Sequence, residues 1–472
     1  MSKFRLAEDP STLSPLPPKS APLLLWHKAL LGFILVAHLA LGIVMATNIP
    51  VLPINSGSLI HAPDEAAHIE YIRILHDEHR LPRQGQTTYE WHQPPLYYAV
   101  AAVVYPLGYV AMRCISIAFG LGSLILIFLT ARQLFPEWPL VAISATGFVG
   151  LMPMHQAINA TVGNDCLIEL LFCFFFYNCS QALLTGLTAI RAIHIGLIVA
   201  GALLTKSNSV ILLPLAVLLW YFLWRIGELP AKLKRGAVTA GLLICILTAG
   251  WYARNYRLYG EVTLVKGFMR EFEHTQRASD WIGQDVVLEA WTGRIHQVTG
   301  SNMSRMDYEA LIANWTFRSF IAAYTPFAVA KVGAPRFLPP NAYLLPALLM
   351  LAGIVGWLKK VDQSSALNSH QKAFAKVLFV GLALVVLSFF GFTLTFFQGQ
   401  GRYLFPALLP MSILLAYGWK RLLPERYFKP FVLFGLFVMF AISIAFVATG
   451  VIQTATSSAT QTGSAPSSGI TS

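Results

Sequence analysis

Charge is what this sequence has least of. Of 472 residues only 12% are Asp, Glu, Lys or Arg, against 56% hydrophobic, and a soluble chain of this size needs far more charged surface than that. Acids are scarcer than bases, 22 against 34, for a formal net charge of +12. No basic stripe interleaves with stacking aromatics, so the excess does not point to a nucleic-acid partner. Cysteine is sparse too. Cys114, Cys166, Cys173, Cys179 and Cys245 all fall inside or at the edge of apolar runs, as small hydrophobes do, which excludes a disulfide framework or a thiolate metal centre. An internal repeat is also lacking, which weighs against a transporter built from inverted halves. No small-residue cleavage site follows the first apolar run, which therefore reads as a retained signal anchor.

What the chain has in abundance is long apolar runs, with a mean hydropathy of +0.60. A helix needs roughly 20 apolar residues to cross the hydrocarbon core. The runs predict an all-α, polytopic transmembrane bundle of about eleven spans, at 24–46, 112–135, 138–154, 164–185, 190–205, 208–225, 236–252, 340–358, 374–396, 402–419 and 430–452. With the N-terminus inside, the short cytoplasmic connections collect Arg132, Arg191, Arg225, Lys232, Lys234, Arg235, Lys420 and Arg421, as the positive-inside rule requires. Residues 1–23 then form a disordered cytoplasmic tail, 24–452 the membrane domain, and 453–472 a Ser/Thr-rich disordered tail outside. Two long polar segments, 47–111 and 253–339, fall on the outer face. Within them, PPLYYAVAAVVYPLGYVAM and NWTFRSFIAAYTPFAVA read as helices in the interface, because counting the first as a span would invert every later loop. Trp281, Trp291 and Trp315 serve either to stack on a glycan or to anchor the segment at the interface.

The first outer segment holds HAPDEAAHIEYIRILHDEH, residues 61–79, with five carboxylates and four histidines. From Asp64 the spacing is helical, with Ala66, Ile69, Ile72 and Leu75 on one face, which should lie on the membrane. Asp64 and His68, four apart, share a face, as acid–base partners or metal ligands would. Asp64 after Pro63 is equally suited to cap the helix, and Glu65 in the first turn suits its dipole. Lys206 lies between two strongly apolar runs and so requires a partner or ligand. Asp165, heading the fourth span, either caps that helix or holds a divalent metal or acceptor together with Asp64.

APDEAAHIEY followed by YEWHQPPLYYAV resembles the first outer loop of the GT-C superfamily of membrane glycosyltransferases, in its protein-mannosyltransferase-like and lipid A aminoarabinose-transferase-like branch. RCISIAFGLGSLILIFLTARQLF, PMHQAINATVGNDCLIEL, LLTKSNSVILLP, GWYARNYRLYG and QGQGRYLFPALLP follow in matching order, so the resemblance covers roughly residues 20–450. The chain departs from the aminoarabinose branch at Gln93, preceded by His92, where that branch carries a lysine.

The resemblance implies transfer of a sugar from a polyprenyl-phosphate donor to a lipid, glycan or protein acceptor on the outer side of the cytoplasmic membrane, usually with inversion. By the same similarity Asp64, with Glu65 beside it, is the candidate base. His92, Lys206, Arg254, Asn255, Arg402, Tyr403 and Tyr97 are candidates to hold substrate and departing phosphate. Asp64, His68 and Asp165 are the candidate ligands of a divalent metal, Mg or Mn, if the enzyme uses one. Two rival readings are a transporter or lipid-linked-sugar flippase with Lys206, Asp165 and Arg402 along a passage, and a scaffold whose acidic loop binds a partner.

Overall fold

The computed structural model describes residues 20–54, 62–273, 275, 277–324, 337–359 and 367–451. The expectations for residues 1–19, for His61 and for the tail from 453 lie outside the described residues. The helices in chain order are α1 (Leu25–Asn48), α2 (Glu65–Asp77), α3 (Leu96–Ala102), α4 (Tyr109–Leu134), α5 (Pro139–Gly150), α6 (Pro153–Asn159), α7 (Asp165–Thr185), α8 (Ala189–Leu203), α9 (Leu212–Arg225), α10 (Pro230–Tyr259) and α11 (Val265–Glu271). A two-stranded antiparallel hairpin follows, β1 (Val286–Glu289) with β2 (Arg294–Gln297), then α12 (Arg305–Ile321), α13 (Leu344–Leu358), α14 (Ser369–Thr393), α15 (Leu408–Leu422) and α16 (Glu425–Phe446).

An apolar helix stands at each of the eleven expected positions, but the count of eleven spans does not follow. Among the described residues eight helices are long and apolar enough to cross a membrane, or nine if α5 and α6 together form one broken span, bent by 65°. Pro153 sets that break, since it cannot continue the hydrogen-bond ladder of α5. The other two, α8 and α15, have 15 residues each, about 22 Å at the helical rise. The segment from Pro94 to Met112 was correctly not a span: α3 has seven residues, and the chain breaks at Gly108, whose φ of 90° is a left-handed backbone.

Lipid-like polarity marks the outside of the bundle. Val238, Leu242 and Ile246 on α10 and Leu348, Leu351 and Ile354 on α13 are all exposed, the inverse of a soluble surface. Inside, α1, α4, α5, α7, α13, α15 and α16 share one apolar core. Small residues bring helices into backbone contact: a Cβ at Gly356 would collide with the backbone of Gly418, and one at Gly418 with that of Gly353, so α13 and α15 pack at the closest range.

The apolar face of α2, expected to lie on the membrane, and that of α12 pack on protein. Ile72 of α2 is buried with Tyr97, Tyr98, Met112 and Val162, and Ile69 and Leu75 pack against the same cluster. Similarly, α12 buries Tyr308, Leu311, Ile312 and Trp315 under the hairpin and against Phe397. Trp281 and Trp315 are buried there, which removes them as stacking platforms, while Trp291 stays exposed.

Candidate active site

Asp64 sits where the chain turns into α2. Its backbone is left-handed, φ 57°, and its side chain makes no bond to the free N–H groups of the helix, so the capping role is not realised. A left-handed non-glycine residue costs on the order of 1 kcal/mol. What offsets it is an ion pair across the fold: Arg402 Nη2 donates to Asp64 Oδ2 at 2.7 Å, and the Tyr89 hydroxyl donates to Oδ1 at 3.1 Å. Arg402 comes from the 3-10 turn Gly401–Ala407 that precedes α15. Its other nitrogens reach Asp165 Oδ2 at 2.8 Å and Gln400 Oε1 at 2.8 Å. Asp165, first residue of α7, also pairs with Lys206, from the connection after α8. Four segments widely separated in sequence are therefore tied into one chain of charges, Asp64–Arg402–Asp165–Lys206.

Asp64, Lys206 and Arg402 of this chain border a cavity of about 330 Å³. Its polar lining includes Asp64, His68, Glu90, His92, Lys206, Arg402 and Tyr403, and its apolar lining includes Leu264, Phe268 and Phe272 with Phe389, Phe392 and Phe396. Asp165 stands behind the wall, orienting the two cations. Lys206 and Arg402 both lie over the Tyr403 ring, at 5.9 and 5.1 Å. His68 shares a hydrogen bond with the Tyr98 hydroxyl at 2.9 Å, and His92 Nδ1 meets the Tyr89 carbonyl at 3.0 Å. Burial holds both rings below the usual histidine range, His92 at about 4, so His92 is neutral near pH 7. For Asp64, burial favours the protonated form, but the Arg402 charge together with His68 and the two hydrogen bonds outweighs it, and the carboxyl is held below its ordinary value.

The remaining candidates lie elsewhere. Glu65, next to Asp64 in sequence, points to the other side of α2. It takes a two-pronged pair from Arg113, at 2.7 and 2.6 Å, and the backbone N–H of Val162 at 2.8 Å, and it does not line the cavity. Tyr97 is fully buried, bonded to Ser116 and to the Gly163 N–H. Arg254 donates to the Pro82 carbonyl at 2.7 Å and lies over Trp251, and Asn255 donates to the Val262 carbonyl, so both brace loops. Glu90 was not singled out by sequence reasoning, although a lone acid between Tyr89 and Trp91 is a signal that could have found it.

The structure does not bring the expected metal trio together as a ligand set. The guanidinium of Arg402 lies between Asp64 and Asp165, and His68 Nδ1 meets the Tyr98 hydroxyl. Among the described residues no three His, Cys, Asp or Glu side chains are grouped to hold a metal. The counter-charge built into this site is arginine and lysine.

No protein-family model matches the sequence, and no curated protein matches it. Solved structures do resemble it. The S. cerevisiae protein O-mannosyltransferase complex bound to the sugar donor matches over 92% of this chain and 91% of its own, at 10% identity and a TM-score of 0.56. An archaeal oligosaccharyltransferase from Archaeoglobus fulgidus, in complex with an inhibitory peptide and a dolichol-phosphate, matches over 90% of this chain at 10% identity and a TM-score of 0.52. This chain spans 56% of the archaeal enzyme's length. An undecaprenyl-phosphate-bound ArnT from Cupriavidus metallidurans has a TM-score of 0.49 at 13% identity, covering 90% of this chain and 73% of its own. At such identities likeness is one of fold. This chain thus shares the fold of that O-mannosyltransferase and that oligosaccharyltransferase.

Proposed function

We propose that the chain is an inverting glycosyltransferase, moving a sugar from a polyprenyl-phosphate donor to a hydroxyl of a lipid, glycan or protein acceptor on the extracytoplasmic face of the cytoplasmic membrane. The observation that carries this reading is the mixed lining of the cavity, where an ionised carboxylate beside two cations shares the walls with phenylalanines suited to a prenyl chain. Lys206 and Arg402 meet the phosphate as it departs, where positive charge stabilises the transition state most. Asp64, oriented by Arg402 and Tyr89, accepts the proton of the incoming hydroxyl. Its low basicity suits a late proton transfer to a sugar that already has oxocarbenium character. The solved structures of like fold support the donor class by analogy, since their partners include a sugar donor and a dolichol-phosphate.

The test is to supply the purified protein with labelled polyprenyl-phosphate sugars and candidate acceptors, and to follow label leaving the lipid. Asp64→Asn is expected to remain folded and to lose transfer by roughly 10²–10⁴-fold. Transfer undiminished in Asp64→Asn would remove Asp64 from the mechanism, and label that changes leaflet without leaving its lipid would replace the enzyme by a flippase.

A further inference from the structure

Two carboxylates line the cavity, and they are held in opposite ways. Asp64 is paired with Arg402 and bonded by Tyr89. Glu90 is buried at 5% exposure, and its Oε2 has no hydrogen-bond partner. Its position is not accidental slack. The residue belongs to the 3-10 turn Tyr89–His92, and its backbone N–H is fixed by the Thr88 hydroxyl at 3.1 Å. That hydroxyl in turn donates to the Ala67 carbonyl of α2 at 2.8 Å, so the turn is clamped to the helix that carries Asp64 and His68. The Trp91 indole on the far side donates to Glu271 at 2.8 Å, which locks the turn to α11.

We propose that Glu90 is the acid of this site: an uncharged carboxyl that donates a hydrogen bond to the donor's phosphate and protonates it as the sugar departs, while Asp64 serves as the base. The assignment rests on the glycosyl-transfer reading above. Charge balance argues for it. Asp64, Asp165 and Glu90 face the two cations Lys206 and Arg402, so a proton on Glu90 leaves the empty pocket neutral, whereas an ionised Glu90 would oppose an incoming phosphodiester anion. A carboxylate lacking any donor in a buried place is the one whose neutral form is favoured. The groups facing Glu90 are Asp64 and His68 from α2, Lys206, and Arg402 of the turn before α15, and the nearby Tyr98 and Tyr403 respond to its charge. Burial raises the Glu90 carboxyl, Asp64 adds to this, and the pull of His68, Lys206 and Arg402 does not cancel it. Opposed environments for two carboxyls in one pocket are the usual mark of an acid and a base.

The step balances. The acceptor oxygen forms a bond to the anomeric carbon and its proton passes to Asp64. The bond from that carbon to the phosphate oxygen breaks with its electron pair on oxygen, and the Glu90 proton goes there. Polyprenyl phosphate leaves as a monoanion, and the proton on Asp64 returns to Glu90 through water.

Binding of undecaprenyl phosphate to the purified full chain, measured between pH 5.5 and 9, tests this without a known acceptor. Wild type is expected to lose affinity about tenfold more than Glu90→Gln as pH rises, because the amide keeps a neutral donor that cannot ionise. Glu90→Ala is expected to bind weakly across the range, and with a labelled donor Glu90→Gln is expected to turn over roughly 10²-fold more slowly for want of a proton. Parallel pH profiles for wild type and Glu90→Gln would overturn the assignment while leaving the donor class standing. Absence of binding by wild type at every pH would overturn both. Should Glu90→Ala not fold, the isosteric Glu90→Gln still decides.

Discussion

Arg113 and Arg402 are both buried arginines that hold carboxylates, and they differ in what they leave open. Arg113 is fully enclosed, with Glu65 on two nitrogens and the Ala46 and Ile49 carbonyls on the third, at 2.7 and 2.8 Å. It does not line the cavity beside Asp64. Arg402 is as well bonded, to Asp64, Asp165 and Gln400, but it stands in the wall of the cavity with Lys206 and Glu90 beside it. The first arrangement ties the end of α1 to α2 and α4 and is complete in itself. The second borders the cavity, so its charges are open to a ligand there. Asp64 and Glu65, adjacent in sequence, are divided between the two.

That contrast can be broken most severely at the closed site. Arg113→Met leaves Glu65 buried without its cation, and a loss of about 3–5 kcal/mol is expected, read as a fall in thermal midpoint or failure to purify as a single species. Arg113→Met with Glu65→Leu should regain much of that loss, because it removes the unpaired charge as well. The open site should respond the other way. Asp64→Asn is expected to cost transfer roughly 10²–10⁴-fold at little cost in thermal midpoint.

The acid side of the pH–rate profile sharpens the comparison. Arg402 holds Asp64 below its ordinary value, so Asp64 stays ionised as pH falls and contributes no loss of rate above about pH 4. In Arg402→Gln burial prevails, the Asp64 carboxyl rises, and the acid limb should move to higher pH. Lys206→Met removes a phosphate contact while Asp165 keeps Arg402, and a rise of about tenfold in donor KM is expected with the fold intact. Arg254→Met is the mild control: its bond to Pro82 braces a loop, so about 1 kcal/mol or less of stability and no more than about a twofold change in transfer are expected.

Much of this was legible in advance. Eleven apolar helices stand where hydropathy put them, and Asp64, His68, His92, Lys206, Arg402 and Tyr403, read from motifs, all line one cavity. Arg254, Asn255 and Tyr97 do not, since an arginine or tyrosine near a helix end looks the same in sequence whether it faces a ligand or props a loop. Glu65 lies apart from the cavity for a related reason. On a helix successive residues diverge by about 100°, so one of two adjacent acids is turned from whatever the other faces. Arg113, its partner, read only as the start of a span.

The sequence by itself determined the helices and their apolar surfaces, because burial in lipid depends on the composition of a run about 20 residues long and on nothing outside it. Tertiary structure alone decided which charges meet. Asp64 and Arg402 are 338 residues apart, and only tertiary packing, which sets the turn before α15 against the start of α2, brings them to 2.7 Å. Whether a buried carboxylate is ionised, clasped or left as an acid depends on how many cations and donors that packing sets around it, and no local pattern of residues carries that information.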